Sequence, residues 1–176
     1  MIMPKPKPIL IMDNPLWDFS LHVYRDATVK DLCLWHQENY NANVNLLLFS
    51  TWCAFDEENL LLLKAFTLIN DWLLPWHLKV TMNLRKVRKY LRATEPEIKP
   101  YCQSIANIEI ESEHIQHNML YQWYSSTTHK QSNPALSTCE KATSNINNYY
   151  QSISIEIDDT LIQAYVNAIA NSYNQV

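Results

Sequence analysis

Apolar residues in this chain recur at helical spacing far more often than they alternate. Leu16, Phe19 and Val23 mark one face of a first helix, with Trp17, Leu21 and Tyr24 on a neighbouring face. Asn14 as N-cap and Pro15 at the first helical position predict its start, and it is expected to run to about Arg25. Val29, Leu32, Cys33, His36 and Tyr40 predict a second helix, opened by Thr28 with Asp31 in a capping-box position. Residues 43–55 are apolar nearly all round, as befits a helix in the middle of a bundle. A short buried strand is the alternative there, but Leu, Ala and Cys dominate over β-branched residues. Asp56 is expected to cap a fourth helix through Leu60–Leu63, Phe66, Ile69 and Leu73, with Glu57 and Glu58 near its positive end. Pro75 is expected to stop it and open a fifth helix, whose buried stripe reads Trp76, Val80, Leu84, Val87 and Leu91. After a break from Thr94 to Pro100 comes a sixth helix, about 98–124. Its Ile98, Tyr101, Ile105, Ile108, Ser112, Ile115 and Met119 suit a hairpin partner or a dimer seam.

Residues 125–137 are rich in Ser, Thr and Asn and read as a loop. Cys139, Ala142, Ile146 and Tyr149 predict a shorter helix. Ile153–Ile157 alternates like a strand but lacks a partner, and is taken as an extended linker. Asp158 or Asp159 caps a last helix with Leu161, Ala164, Tyr165, Ala168 and Ser172 on one face. Pro4, Pro6 and Pro8 predict an extended arm at the N-terminus. The expected fold is an all-α, single-domain bundle of about six to seven helices. Helix 43–55 lies at its centre, and helices one, two, four, five and six surround it. Along the chain this gives an arm over 1–13, a helical core over 14–124, a loop over 125–137 and a helical tail over 138–176 packed on the core.

The 176 residues include no glycine. That removes the glycine-dependent phosphate cradles, the dinucleotide-binding turn and the G-x-S-x-G nucleophile elbow. Helix C-termini that need left-handed backbone must then use asparagine, and Asn39, Asn41, Asn70 and Asn174 are available. Net charge is −4, which argues against a globally basic nucleic-acid binder. Cys33, Cys53, Cys102 and Cys139 are too spread for a disulfide framework and read as reduced thiols of a cytoplasmic protein. The N-terminal apolar run Ile9–Met12 does not make a signal peptide, and no stretch is long enough to span a bilayer.

Leu16-Trp17-Asp18-Phe19-Ser20, Tyr24, Val29 to Cys33, Asn43-Val44-Asn45-Leu46-Leu47-Leu48-Phe49 and Trp52 together resemble a proteobacterial family of short proteins, defined as a domain of unknown function. The similarity continues through Pro75-Trp76 and Leu84-Arg85-Lys86-Val87-Arg88 into Glu109 to Leu120, covering roughly residues 15–124. The Ser/Asn-rich tail departs from the alanine-rich tails of that family. The resemblance implies a helical, cytoplasmic bacterial protein and supplies no activity or catalytic residues.

Three constellations carry candidate chemistry. Lys79, Arg85, Lys86, Arg88, Lys89 and Arg92 form an acid-free stretch of helix 76–93. Its outer face, with Lys79, Arg85, Lys86, Lys89 and Arg92, could meet an acidic protein or nucleic-acid phosphates. The plain alternative is a solvated face partly complemented by Glu109, Glu111 and Glu113. Glu111-x-x-His114 has the spacing of a di-iron carboxylate helix, and His114 and His117 could share a metal, but no second copy exists and no metal or cofactor is expected. Asp18 and Asn45 sit in apolar helices, where a polar group needs partners. Asn45, an indole N–H of Trp17, Trp52 or Trp76, or Arg85 or Arg88 could hold Asp18, either as a structural network or as an aromatic-walled ligand pocket. His36 reads as a satisfied core histidine. Ser20, Ser50 and Thr51 show no acid–base partner in sequence. The favoured expectation is a non-catalytic interaction or regulatory protein, with an acidic protein as one option for its partner. A small-molecule pocket near Asp18 and Asn45 comes second, and nucleic-acid binding through helix 76–93 third.

Overall fold

A computed structural model describes residues 13–93 and 96–174. The arm expected over 1–13 lies, apart from Asp13, outside them, as do residues 94 and 95 of the expected break. Eight α-helices are found among the described residues: α1 (Pro15–Val23), α2 (Ala27–Tyr40), α3 (Val44–Phe55), α4 (Leu63–Trp76), α5 (Met82–Arg92), α6 (Lys99–Ser126), α7 (Thr138–Ser152) and α8 (Asp159–Tyr173). The fold is an all-α bundle. Its small exception is an antiparallel pair, β1 (Asn59–Leu61) and β2 (Lys130–Ser132), in register Asn59↔Ser132, Leu60↔Gln131 and Leu61↔Lys130. No helix among the described residues is long and apolar enough to cross a membrane.

Side-chain caps set most of the helix starts. The Asn14 carbonyl oxygen accepts from Trp17 N–H at 3.0 Å, and Pro15 occupies the first turn, where no N–H is missed. α2 is capped by Asp26, not Thr28: the Asp26 carboxylate accepts from Thr28 N–H at 2.7 Å and Val29 N–H at 3.2 Å. Asn41 ends that helix at φ 53°, the left-handed geometry a glycine would otherwise supply. Ser137 and Glu140 form a capping box on α7, and Asp158 caps α8.

α3 is buried from Asn45 to Ala54 and forms the centre of the bundle. Its most extensive neighbour is α7, followed by α1, β1, α2 and α6. α4 packs chiefly on α7 and α5 on α6, so the expected ring of helices around α3 is corrected at two places. Asn145 of α7 explains part of this arrangement. Its carboxamide accepts from Leu61 N–H at 2.7 Å and donates to Ser50 O and Asn59 O, both at 3.1 Å. It thereby fastens β1 to the outside of α3, satisfying backbone groups that would otherwise be buried unpaired.

Four expectations fail locally. Asp56 closes α3 instead of opening a helix, and β1 follows it. Pro75 lies inside α4, and the rod continues through a π-helical turn, His77–Thr81, directly into α5. That turn loosens the helical ladder just beyond the proline, a recurrent way for a rod to bend without breaking. The stripe assigned to helix five is not buried: no residue of α5 is, and Val87 is exposed. The seam assigned to helix six holds only in part: Ser112 is buried and Met119 packs on the core, but Tyr101 and Ile108 are exposed, while Glu109, Gln116 and His117, outside that seam, are buried. Polar pairing explains both reversals. Ser112 Oγ donates to Thr81 Oγ1 at 3.0 Å, Gln116 Nε2 donates to the same oxygen at 2.7 Å, and the arginines of α5 meet the glutamates of α6.

Candidate functional site

A cleft of about 440 Å³ opens between α1, α2, α3, α5 and α6. Periodicity builds its walls. Trp17, Ser20, Leu21 and the adjoining Tyr24 lie at i, i+3, i+4 and i+7 along α1, so one edge of that helix faces the opening. Leu34 and Gln37 come from α2, and Val44, Asn45 and Leu48 from the first turns of α3. Arg85, Arg88 and Arg92 face Ala106, Glu109, Ile110, Glu113 and His117 across the α5–α6 hairpin. The apolar rim residues Leu21, Leu34 and Ile110 are unusually open, and Ile110 is 53% exposed.

The hairpin side of the cleft is an ion cluster. Arg85 donates from Nε to Glu109 at 2.9 Å, from Nη2 to Glu113 at 2.6 Å, and from Nη1 to Gln37. Arg88 holds both oxygens of Glu109. Burial opposes ionisation of Glu109, but the hydrogen bonds from Arg88 and Arg85 outweigh it and hold the carboxyl below its usual range. Glu113 is pushed up instead, by burial first, with the Arg85 charge only partly compensating. Arg92, exposed at the hairpin end, has no ionic partner among the described residues.

The opposite end is neutral. Trp17 stacks on His114 with ring centroids 3.9 Å apart and meets His117 edge-on at 5.1 Å. His117 Nδ1 lies 3.0 Å from Glu113 O, which can only accept, so Nδ1 carries the proton. Nε2 is left to accept from Ser20 Oγ at 2.9 Å. Burial lowers the His117 pKa to about 4 and keeps the ring neutral. Beside them is Asn45, which is only 5% exposed, lines the cleft, and makes no side-chain hydrogen bond among the described residues.

The structure brings Trp17, Asn45, Arg85, Arg88 and Arg92 of the sequence candidates to this one cleft. It does not bring Asp18, Trp52, Trp76, Lys79, Lys86 or Lys89 there. Asp18 is exposed in the first turn of α1, beside the positive helix end, so the premise of a buried carboxylate is corrected. Trp52 is fully buried in the core against Tyr124, its indole N–H unpaired, and Trp76 donates to Ser112 O at 3.0 Å. Of the expected basic face, Lys79, Lys86, Lys89 and Arg92 are exposed, but the Arg85 side chain is only 11% exposed and is consumed by the ion cluster. Glu111 is exposed, and among the described residues no group of three or more His, Cys, Asp or Glu could hold a metal. His36 is in the core, its Nδ1 2.7 Å from Tyr150 Oη. All four cysteines are free thiols, two buried and two half-buried. Sequence reasoning missed Ser20, His117, Gln37 and Leu34 as members of one site. The Trp17–Leu21–Tyr24 face and the pocket candidates Asn45, Arg85 and Arg88 signalled it in advance.

A family model described as a protein of unknown function (DUF2390) matches residues 15–120, more than half of the chain. The chain belongs to the DUF2390 family. Every residue lining the cleft, from Trp17 to His117, falls inside the segment that defines a DUF2390 protein, whereas α7 and α8 lie beyond it. No curated protein and no solved structure matches this DUF2390 chain.

Proposed function

We propose that this DUF2390 protein binds a small organic molecule in the cleft between α1, α2, α3, α5 and α6. The observation that carries the reading is Asn45. Its carboxamide lines the cleft and makes no hydrogen bond among the described residues, which leaves a donor and an acceptor for a bound molecule. The cleft's volume of about 440 Å³ suits that role, as do its apolar walls with a few convergent polar groups. The protein-interaction role expected from the sequence draws on the exposed Val87, Tyr90, Tyr101 and Ile108, and nothing shows what would cover them. The nucleic-acid reading loses Arg85 to Glu109 and Glu113.

The neutral fluorescent probe N-phenyl-1-naphthylamine tests the proposal. One saturable site with blue-shifted emission is expected, and Val44→Trp, which fills the cleft, removes it. Absence of saturable binding, or binding untouched by Val44→Trp in a protein that unfolds at the wild-type urea concentration, would overturn it.

A further inference from the structure

The polar groups of the cleft are not scattered. Along α6 the lining residues run from Ala106 to His117, about 16 Å at 1.5 Å per residue. Arg88 and Arg92 lie at the Ala106 end of the hairpin, since the backbone carbonyl of Arg88 meets Cys102 Sγ at 3.7 Å. Ser20 and Trp17 lie at the His117 end, and so does Asn45, because neighbouring Asn43 donates to Gln116 at 3.0 Å. Leu21, Leu34, Leu48 and Ile110 form the apolar part of the lining, with Ile110 between Ala106 and His117 along α6. The site is therefore elongated, with a surplus guanidinium at one end, neutral side chains at the other, and both apolar walls and the paired Arg85–Glu109–Glu113 cluster between them.

The charges do not cancel. Three guanidiniums line the cleft against two carboxylates, and both carboxylates are taken: Glu109 by Arg85 and Arg88, Glu113 by Arg85. Arg92 is the surplus. At the neutral end the hydroxyl proton of Ser20 is committed to His117, so Ser20 offers only lone pairs, while Asn45 offers both a donor and an acceptor. That end can accommodate a neutral group and supplies no charge for a second ion.

Resting on the ligand-binding reading above, we propose that the occupant is an elongated amphipathic monocarboxylate. Its carboxylate lies against Arg92 and Arg88, and its apolar body lies along Leu21, Leu34, Leu48 and Ile110 toward Asn45. Charge-assisted pairing with a guanidinium supplies the preference for the anion, and the apolar walls supply the bulk of the affinity.

Competition against N-phenyl-1-naphthylamine with three ten-carbon probes isolates this claim. Decanoate is expected to compete at least about tenfold more tightly than 1-decanol, and decyltrimethylammonium more weakly than either. Arg92→Glu, a change at an exposed side chain, is expected to abolish the preference for decanoate while leaving 1-decanol unchanged. If 1-decanol matches decanoate and Arg92→Glu alters neither, the anion proposal falls while the cleft remains a ligand site. If the fluorescent probe itself fails to bind, the reading beneath it falls first.

Discussion

Acid should weaken this fold before most of its carboxylates are protonated. Burial lowers the pKa of His117 to about 4 and that of His36 to about 4, against about 6.5 for a free imidazole. The two side chains are 2% and 1% exposed. A group with a depressed folded pKa contributes stability that is complete above the unfolded value and drains as pH falls toward the folded one. The window is therefore pH 6.5 to 4. Linkage gives a loss of about 2 kcal/mol per histidine at pH 5, or about 4 for the pair, out of a total of roughly 5–15. His77, also lowered to about 4 by burial and by Arg85, acts in the same direction. Glu113 opposes, because its raised pKa favours the folded state in acid. With a urea dependence near 2 kcal/mol per M, the unfolding midpoint should fall by about 2 M between pH 7 and pH 5. His117→Gln, which keeps an acceptor for Ser20, should remove close to half of that fall. A midpoint that is level across the window, or an NMR titration placing His117 near 6.5, would refute the reasoning.

Other expectations follow from single contacts. Asn45→Leu should leave stability within about 1 kcal/mol of wild type in urea melts, since no hydrogen bond of the described residues is lost, yet it should weaken ligand binding. Arg85→Met should cost about 3 kcal/mol, because Glu109 and Glu113 are left short of a cation in a buried setting, and Glu109→Gln should cost less. Asn145→Ala removes three hydrogen bonds to backbone groups of β1 and α3, so about 3 kcal/mol should be lost and Leu61 N–H should exchange faster with deuterium. Asn41→Gly should be nearly neutral and Asn41→Val costly by about 1 kcal/mol, as the left-handed backbone there excludes a β-branched side chain.

How much of this was legible in the chain depended on what each helix buries. α1, α3, α7 and α8 bury aliphatic and aromatic side chains, so apolar patterning located them, and Asn14 and Asp158 marked the starts of α1 and α8, while the Ser137 cap of α7 lay in a segment that read as loop. The π-helical turn, α5 and α6 enclose buried Thr81, Glu109, Ser112 and Gln116 with half-buried Arg85, and leave Val87, Tyr101 and Ile108 outside. A rule that sends apolar residues inward must read such a hairpin inside out, because hydrogen-bonded polar pairs satisfy burial as well as hydrocarbon does. The three-residue strands lacked any alternating run, and their stability comes from Asn145, 84 positions from Leu61 in sequence. The same non-local pairing hid the cleft. Ser20 and His117 are 97 residues apart, and neither spacing nor composition links them. Asp18 misled because its neighbours in sequence are apolar while its own side of α1 faces water.

The cleft itself can be watched through its tryptophan. Indole N–H resonances of the wild-type protein, followed by NMR during titration with decanoate, separate the rim from the core. Trp17 should shift progressively and saturate, while Trp52 of α3, buried against Tyr121 and Tyr124 of α6, should hold still. Movement of Trp52 with Trp17 unchanged, or no movement at all at millimolar decanoate, would contradict a binding site at this place.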